Sequence, residues 1–372
     1  MVFVMPVKQA KPEAKKAKAA KPSATRKATP KQAPPEYRSP AQPPDLSEED
    51  KTRLRQFLDK NATPFTVKTA AASKKRKRDG LVQMQDDLFE DRLSVRYEVA
   101  PRDEWESLRR YKKFTVGQES IATGQCIYVK ADESDDPNLN AAEQWKAKVL
   151  EVRALDSEHV YIRVAWLNRP EDLPHGRKPY HGKNELIPTN QMDVIDAMAV
   201  NGSFDLVHWD DKDEESPMPR EEDFFWRQTY DFANSGTFTE LHMICVDGEP
   251  INPDQIILQC SNAKCRKWLH VNCIAESAVK EYESVNETKK TANNPKKRGR
   301  PKNLHISSDS KASGLAKNKN GTVTAHVFIK GLPDGPRDTP SASSEVVVID
   351  GDKQEHAEDL LCLHCSEPIM DD

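Results

Sequence analysis

Between Cys260 and Cys365 the chain repeats short pairs of metal-binding side chains, and no other feature restricts its folding as much. The order is Cys260-x4-Cys265-x4-His270-x2-Cys273 and, much later, Cys362-x2-Cys365. Tetrahedral Zn²⁺ takes four nitrogen or sulfur donors, and donors a few residues apart let one turn of chain present two of them. Such a series closes a small module around metal instead of around a large apolar core. The seven cysteines are an odd number with five in these clusters, which points to metal and a reducing compartment and away from a disulfide framework. Cys126, flanked by Gln125 and Ile127 in an apolar stretch, is read as a buried strand residue.

A second stretch, Trp145 to Asp193, carries different chemistry. Apolar and polar residues alternate through Lys148–Arg153 and again through Val160–Trp166, with a polar turn from Asp156 to Glu158 between them, which predicts an antiparallel hairpin. Trp145 opens the first strand and Trp166 closes the second, so the pairing brings both indoles to one end. They are either core tryptophans or two walls of a cage for a quaternary ammonium group, and residue type alone leaves both open.

Composition limits how much of the chain is core. Of 372 residues 36% are hydrophobic and 31% charged, with a mean hydropathy of -0.80, so part of the chain is expected to be disordered. No apolar run reaches the 18 residues of a membrane span, and MVFVMPV is too short and lacks the cationic start of a signal peptide, so the expectation is a soluble, non-secreted protein. Residues 1–80 carry 20 Lys and Arg against 8 Asp and Glu, while the whole chain has a net charge of -4, so the rest is strongly acidic. An acidic body attracts a lysine- and arginine-rich ligand, and a basic arm suits nucleic acid or an import receptor.

Residues 1–80 are assigned as a disordered basic tail. Within it, Ser47 and Asp50 form a capping-box-like start to a short helix, DLSEEDKTRLRQFLDKN, with Leu54, Phe57 and Leu58 on one side. Lys74, Lys75, Arg76, Lys77 and Arg78 read as a nuclear localisation signal or as a solvated charge run. From Leu93 an alternating strand leads to a Pro101-initiated helix, DEWESLRRYKKF, with Trp105, Leu108 and Tyr111 at helical spacing. The acidic segment ADESDDPNLNAAEQ precedes Trp145 and either is solvated or steers a basic peptide. Gly182 and Gly202 are placed at tight turns. Glu283 to Lys319 is polar and Ser/Asn/Lys-rich, whereas GTVTAHVFIKG and SEVVVIDGD predict two strands. No phosphate loop, nucleophile elbow or open metal site with a placed base is present, so no enzyme is expected.

The residues WKAKVLEVRALDSEHVYIRVAWLNRPEDLP, GRKPYHGKNELIPTNQMDVIDAMAVNG and FFWRQTYD resemble a bromo-adjacent homology (BAH) domain, of the subfamily that a PHD finger follows directly. Cys260 to Cys365, with Trp268 two residues before His270 and INPDQIILQC ahead, resembles that finger. The resemblance implies a mostly β chain with a small BAH-type β-barrel at 93–232. It implies a PHD-type zinc finger at 241–368, interrupted by a largely disordered insertion at about 276–343. Such BAH–PHD proteins are nuclear chromatin readers in Polycomb-type repression, and their barrel binds histone H3 trimethylated at lysine 27. The implied partners are the histone H3 tail or nucleosome, with no membrane and no small-molecule substrate.

The resemblance also assigns residues. In the family the first and third ligand pairs share one ion and the second and fourth share the other, which makes Cys260, Cys265, Cys362 and Cys365 one site. The other holds Cys245, His270, Cys273 and, where the family has a cysteine, Asp247; one or two zinc ions are therefore expected. The family's second strand ends in a tryptophan followed two residues later by a cage tyrosine, but here Asn168 follows Trp166, with Tyr128 or Tyr180 as candidate replacements. A segment matching TNQMD lines the peptide groove, giving that role to Asp193, although Gln191 stands where relatives often have histidine. PKKRGRPK resembles an AT-hook, with Arg298, Gly299, Arg300 and Pro301 laid into the minor groove of A·T-rich DNA or serving as a second import signal. Val346 to Ile349 followed by Asp350 resembles a SUMO-interacting strand or is structural. The alternative overall reading is a DNA-tethered scaffold whose barrel and finger bind unmodified protein partners.

Overall fold

A computed structural model describes residues 45–70, 82–86, 88–90, 93–130, 143–291, 314–318, 322–330, 333–334, 337–340, 344–350 and 354–369. The basic cluster at 74–78, the AT-hook-like residues 298–301 and most of the acidic segment before Trp145 lie outside them.

The predicted hairpin is the centre of the first module. Strand Trp145–Ala154 pairs antiparallel with Val160–Asn168, and Asp156 Oδ1 accepts the backbone N–H groups of Glu158 and His159 at 3.0 and 3.1 Å to tighten the turn. Strands Val200–Phe204 and Cys126–Val129 continue the sheet on one side; Ile187–Asp196, Tyr230–Asp231 and Thr237–Phe238 continue it on the other. Both faces are covered, and charged residues that alternate with the apolar ones, Lys146, Arg153 and Arg163, are themselves buried. One face packs Ile127, Ala147, Val149, Ile162 and Val164 beneath the hairpin Lys113–Val116/Glu119–Ala122, and the other packs Tyr161, Ala165, Leu167 and Met192 against the N-terminal elements.

Those N-terminal elements correct the expectation of a disordered 1–80. Helix Glu48–Lys60 starts where the sequence predicts, with the Asp50 N–H donating to Ser47 Oγ at 3.1 Å. Leu54, Leu58 and Phe65 are buried in the barrel core, and strand Thr66–Ala70 pairs with Val95–Ala100. Phe65 meets Trp105 and Tyr161 edge-on at 5.1 and 5.2 Å. The helix is therefore stabilised by tertiary burial, which its polar composition conceals. The helix expected from Pro101 is also shorter, Arg102–Ser107, because Arg109–Tyr111 is drawn into a ladder with Val152 to Ala154. Trp105 is 1% exposed, as core.

His159 latches the N-terminal helix to the hairpin turn, its ring nitrogens lying 2.8 Å from Asp156 and 2.9 Å from Asp59. Burial opposes a charged imidazole here, but the two carboxylates outweigh it and raise the His159 pKa above the ordinary 6.5. A raised histidine contributes its stability fully below pH 6.5 and loses it as pH climbs through the folded-state value. The full chain is thus expected to lose melting temperature between pH 6 and 8.5, and His159→Gln to flatten that slope. Parallel melting curves for the two proteins across this range would remove the latch.

In the second module, the short ladders Met243–Ile244/Glu249–Pro250 and Ile257–Gln259/Trp268–His270 precede helix Val271–Thr291. A four-stranded sheet follows, ordered Leu315–Lys317, Val323–Phe328, Glu345–Asp350 and Gln354–Asp359. The expected disorder from about 276 is corrected here. Val271, Ile274, Ala275, Ala278 and Val279 recur at helical spacing and bury against Ala316, Val323, Ala325, Val346 and Val348. A single apolar stripe suffices for order, and averaged polarity hides it. Because Glu345–Asp350 is bonded on both edges, Val346 to Ile349 have no free edge for a SUMO-type partner.

The two modules share a joint. Trp209 and Phe225 of the barrel pack with Ile244 and Ile251 of the finger, and Trp268 closes the same cluster. Arg227 has no exposed side-chain surface; it bonds Glu185 at 3.0 Å, the Ile251 carbonyl at 2.7 Å and the Tyr180 carbonyl at 2.8 Å. Gly182 serves this joint instead of a turn requiring positive φ: a Cβ there would lie 2.8 Å from Pro253 and 2.9 Å from Phe225. Gly202 does hold the left-handed half of the map, at φ +129°.

Candidate functional site

The strand register converges the two tryptophans. Ala147 pairs with Trp166, and Trp145, two residues earlier, projects from the same face, where the rings meet edge-to-face at 5.8 Å and 63°. Trp145 is 52% exposed, whereas Trp166 is half-buried against the core that holds Ala147 and Val164. One step further along the register, Asn168 stands opposite Trp145, on the same face as Trp166.

The two candidate replacements for a third wall are elsewhere. Tyr128 pairs with Lys146, which faces the opposite side of the sheet, and its ring packs on Phe204 at 4.8 Å. Lys146 fills that side, its ammonium 4.9 Å from the Phe224 ring centre and its pKa lowered to about 8 by burial. Tyr180 lies against His181, 4.5 Å away, at the joint. Asp193 sits opposite Val164 on the adjacent strand, exposed, two positions in register from Trp166.

The feature that sequence reasoning missed is Thr189. A break in register between Pro188 and Met192 lets its hydroxyl donate to the Trp166 carbonyl at 3.2 Å and accept from Asn168 Nδ2 at 3.3 Å. A fully buried threonine thereby ties the strand that carries Trp166 to its neighbour. No local signal in TNQMD announces this, because it depends on the bulge.

The metal-ligating residues form two clusters, Cys260, Cys265, Cys362 and Cys365 in one, Cys245, Asp247, His270 and Cys273 in the other, with ligand atoms in each within 4.8 Å of one another. Metal–thiolate bonds of about 2.3 Å in a tetrahedron place sulfurs roughly 3.8 Å apart. Cys260 to Cys365 is 3.6 Å and Cys265 to Cys362 is 3.8 Å, so the first cluster fits an ion without rearrangement. In the second, Asp247 Oδ2 lies 3.2 Å from His270 Nδ1 and 3.0 Å from Cys273 Sγ. The His270 Nε2–H donates to the Pro250 carbonyl at 3.2 Å, leaving Nδ1 as the ligating nitrogen. Hydrogen bonding from Cys273 leads in pushing the Cys245 thiol down to about 4, against burial, so a thiolate donor is favoured there. The donor sets fit a metal at both places, the second with one oxygen in place of a sulfur.

No family model matches the chain. It is similar to the chromatin remodeling protein SHL of Arabidopsis thaliana, 29% identical over 177 residues that make up 47% of this chain and 72% of that one. It is also similar to the chromatin remodeling protein EBS of the same plant, 27% identical over 156 residues, 41% of this chain and 62% of that one. Among solved structures, the yeast Rsc2 BAH domain aligns over 35% of this chain and 54% of that chain, at 15% identity and a TM-score of 0.25, too distant to carry an argument. Similarity to two chromatin remodeling proteins, in a chain whose barrel leads directly into a cross-braced pair of metal-ligand clusters, agrees with the resemblance to the BAH–PHD family.

Proposed function

We propose that the protein is a nuclear chromatin reader whose barrel captures a methylated lysine of the histone H3 tail, with lysine 27 the position its family implies, and that it supports transcriptional repression. The observation that carries this reading is the Trp145–Trp166 pair, an exposed indole meeting a half-buried one on one face at 5.8 Å. Each indole face offers about 0.5–2 kcal/mol to a methylammonium, depending on how far water is excluded. The acidic body adds long-range attraction for a basic tail. In this reading zinc fills the four-cysteine cluster and fills the Asp247 cluster in whole or in part, residues 74–78 direct nuclear import, and Arg298 to Pro301 touch A·T-rich DNA. The role is one of binding, without catalysis.

The finger contributes support instead of a second reading head for trimethylated lysine 4. Its one matching aromatic, Trp268, packs into the joint with Trp209 and Phe225. A single specific observation favours the scaffold alternative, namely Asn168 in place of the third aromatic.

Trp166→Ala is expected to cut the affinity of the full chain for methylated H3 peptide by roughly tenfold or more, with little change for unmodified peptide. Calorimetric titration measures both. Equal binding by wild type and variant would misplace the cage, and a wild type blind to methylation would leave the scaffold as the better account.

A further inference from the structure

We infer that Asn168 sets the methylation state this cage selects, favouring dimethyl-lysine over trimethyl-lysine. This rests on the methyl-lysine reading proposed above and deepens it. Two hydrogen bonds orient the amide. Thr189 spends its only proton on the Trp166 carbonyl at 3.2 Å, so its oxygen acts as an acceptor toward Asn168. The group 3.3 Å away must then be the Nδ2 donor, and the amide cannot flip without setting two acceptors against each other. Asn168 Oδ1 is left pointing away from Thr189, and no described residue donates to it.

Asn168 is on the same strand side as Trp166 and, one step beyond the Lys146–Leu167 pair, comes opposite Trp145, so an oxygen turned away from Thr189 is turned toward the indoles. The tryptophans attract any methylated ammonium through its diffuse charge, so they separate methylated from unmodified lysine. They do little to count methyl groups. Asn168 does the counting, because dimethylammonium keeps one N–H, which can donate to Oδ1 in a charge-assisted bond. Trimethylammonium has none, and brings a methyl group against an acceptor that then loses water without compensation. Monomethyl-lysine also has N–H donors but gives the indoles less methyl surface, so it ranks below dimethyl-lysine.

The test titrates the full 372-residue chain with H3 peptides centred on lysine 27 that carry zero, one, two or three methyl groups. Dimethyl peptide is expected to bind about tenfold tighter than trimethyl, the worth of one hydrogen bond to a charged group after solvent exchange. Asn168→Leu, which keeps bulk and removes the acceptor, should bring that ratio to roughly unity while methylated peptides still outbind unmodified ones. Asn168→Tyr should supply the missing aromatic wall and reverse the ratio toward trimethyl. Thr189→Val, which frees the amide to rotate, should reduce the dimethyl preference without abolishing it. Trimethyl preference in the wild type, or a dimethyl preference that survives Asn168→Leu, overturns the inference but leaves the methyl-lysine reading intact. A folded wild type that binds all four peptides alike overturns both.

Discussion

Cys260→Ser is expected to unfold the finger. Cys260 is buried in the core that joins Leu258, Leu269, the helix Val271–Thr291 and the four-stranded sheet, so its ion and its packing are lost together. Structural zinc supplies on the order of 10–16 kcal/mol to modules of this size, more than any set of side-chain contacts there can replace. Metal analysis of wild type should return between one and two zinc ions per chain, and the variant should lose one equivalent and open to protease between residues 241 and 369. The barrel, whose two cores are built from other residues, should keep its melting transition. Asp247→Cys provides the contrast, because a fourth soft donor should slow the loss of the second ion to a chelator. Wild-type protein free of zinc, or a Cys260→Ser protein as protease-resistant as wild type, would reject the assignment.

Breaking the Arg227–Glu185 pair should have the next largest effect. Both side chains are 0% exposed, and Glu185 also accepts the Gly182 N–H at 2.9 Å. Replacing Glu185 alone by leucine leaves the buried arginine with Asp211, 3.8 Å away, as its remaining anion, which costs up to about 3–5 kcal/mol. For a folded body of this size that is roughly a 10 °C fall in melting temperature. Replacing both residues, Glu185→Leu with Arg227→Met, removes the uncompensated charge and should recover most of the loss. Asp211, 3.8 Å from Arg227, is the nearest other anion and would otherwise take over part of the pairing. The decisive comparison is single against double variant by chemical denaturation: equal midpoints would mean that the joint is held by its apolar cluster and not by the ion pair.

The parts of this molecule legible in the sequence are those whose cause is local. Alternation through Lys148–Arg153 and Val160–Trp166 specifies a hairpin because side chains on a strand repeat every two residues, and the convergence of Trp145 and Trp166 follows from that period and the turn at Asp156. The metal ligands are legible for the same reason, since donor type and spacing state the chemistry before any fold exists. The Ser47 cap is equally local.

Other features were decided only in three dimensions. The helix Glu48–Lys60 is legible from its cap and its Leu54 and Leu58 side, but its burial in the barrel core and the pairing of strand Thr66–Ala70 with Val95–Ala100 depend on partners far along the chain. Arg109–Tyr111 is a strand because strand Trp145–Ala154 offers it a partner, although its residues suit a helix. The helix and sheet within the expected insertion owe their order to one buried stripe meeting another. The sequence determined that two tryptophans would converge at one strand end, with Asn168 two residues beyond the second. Only the tertiary structure, by placing the Thr189 hydroxyl between Trp166 and Asn168, decided which end of that amide Thr189 holds, because a hydrogen bond between strands depends on register and a bulge that no single segment encodes.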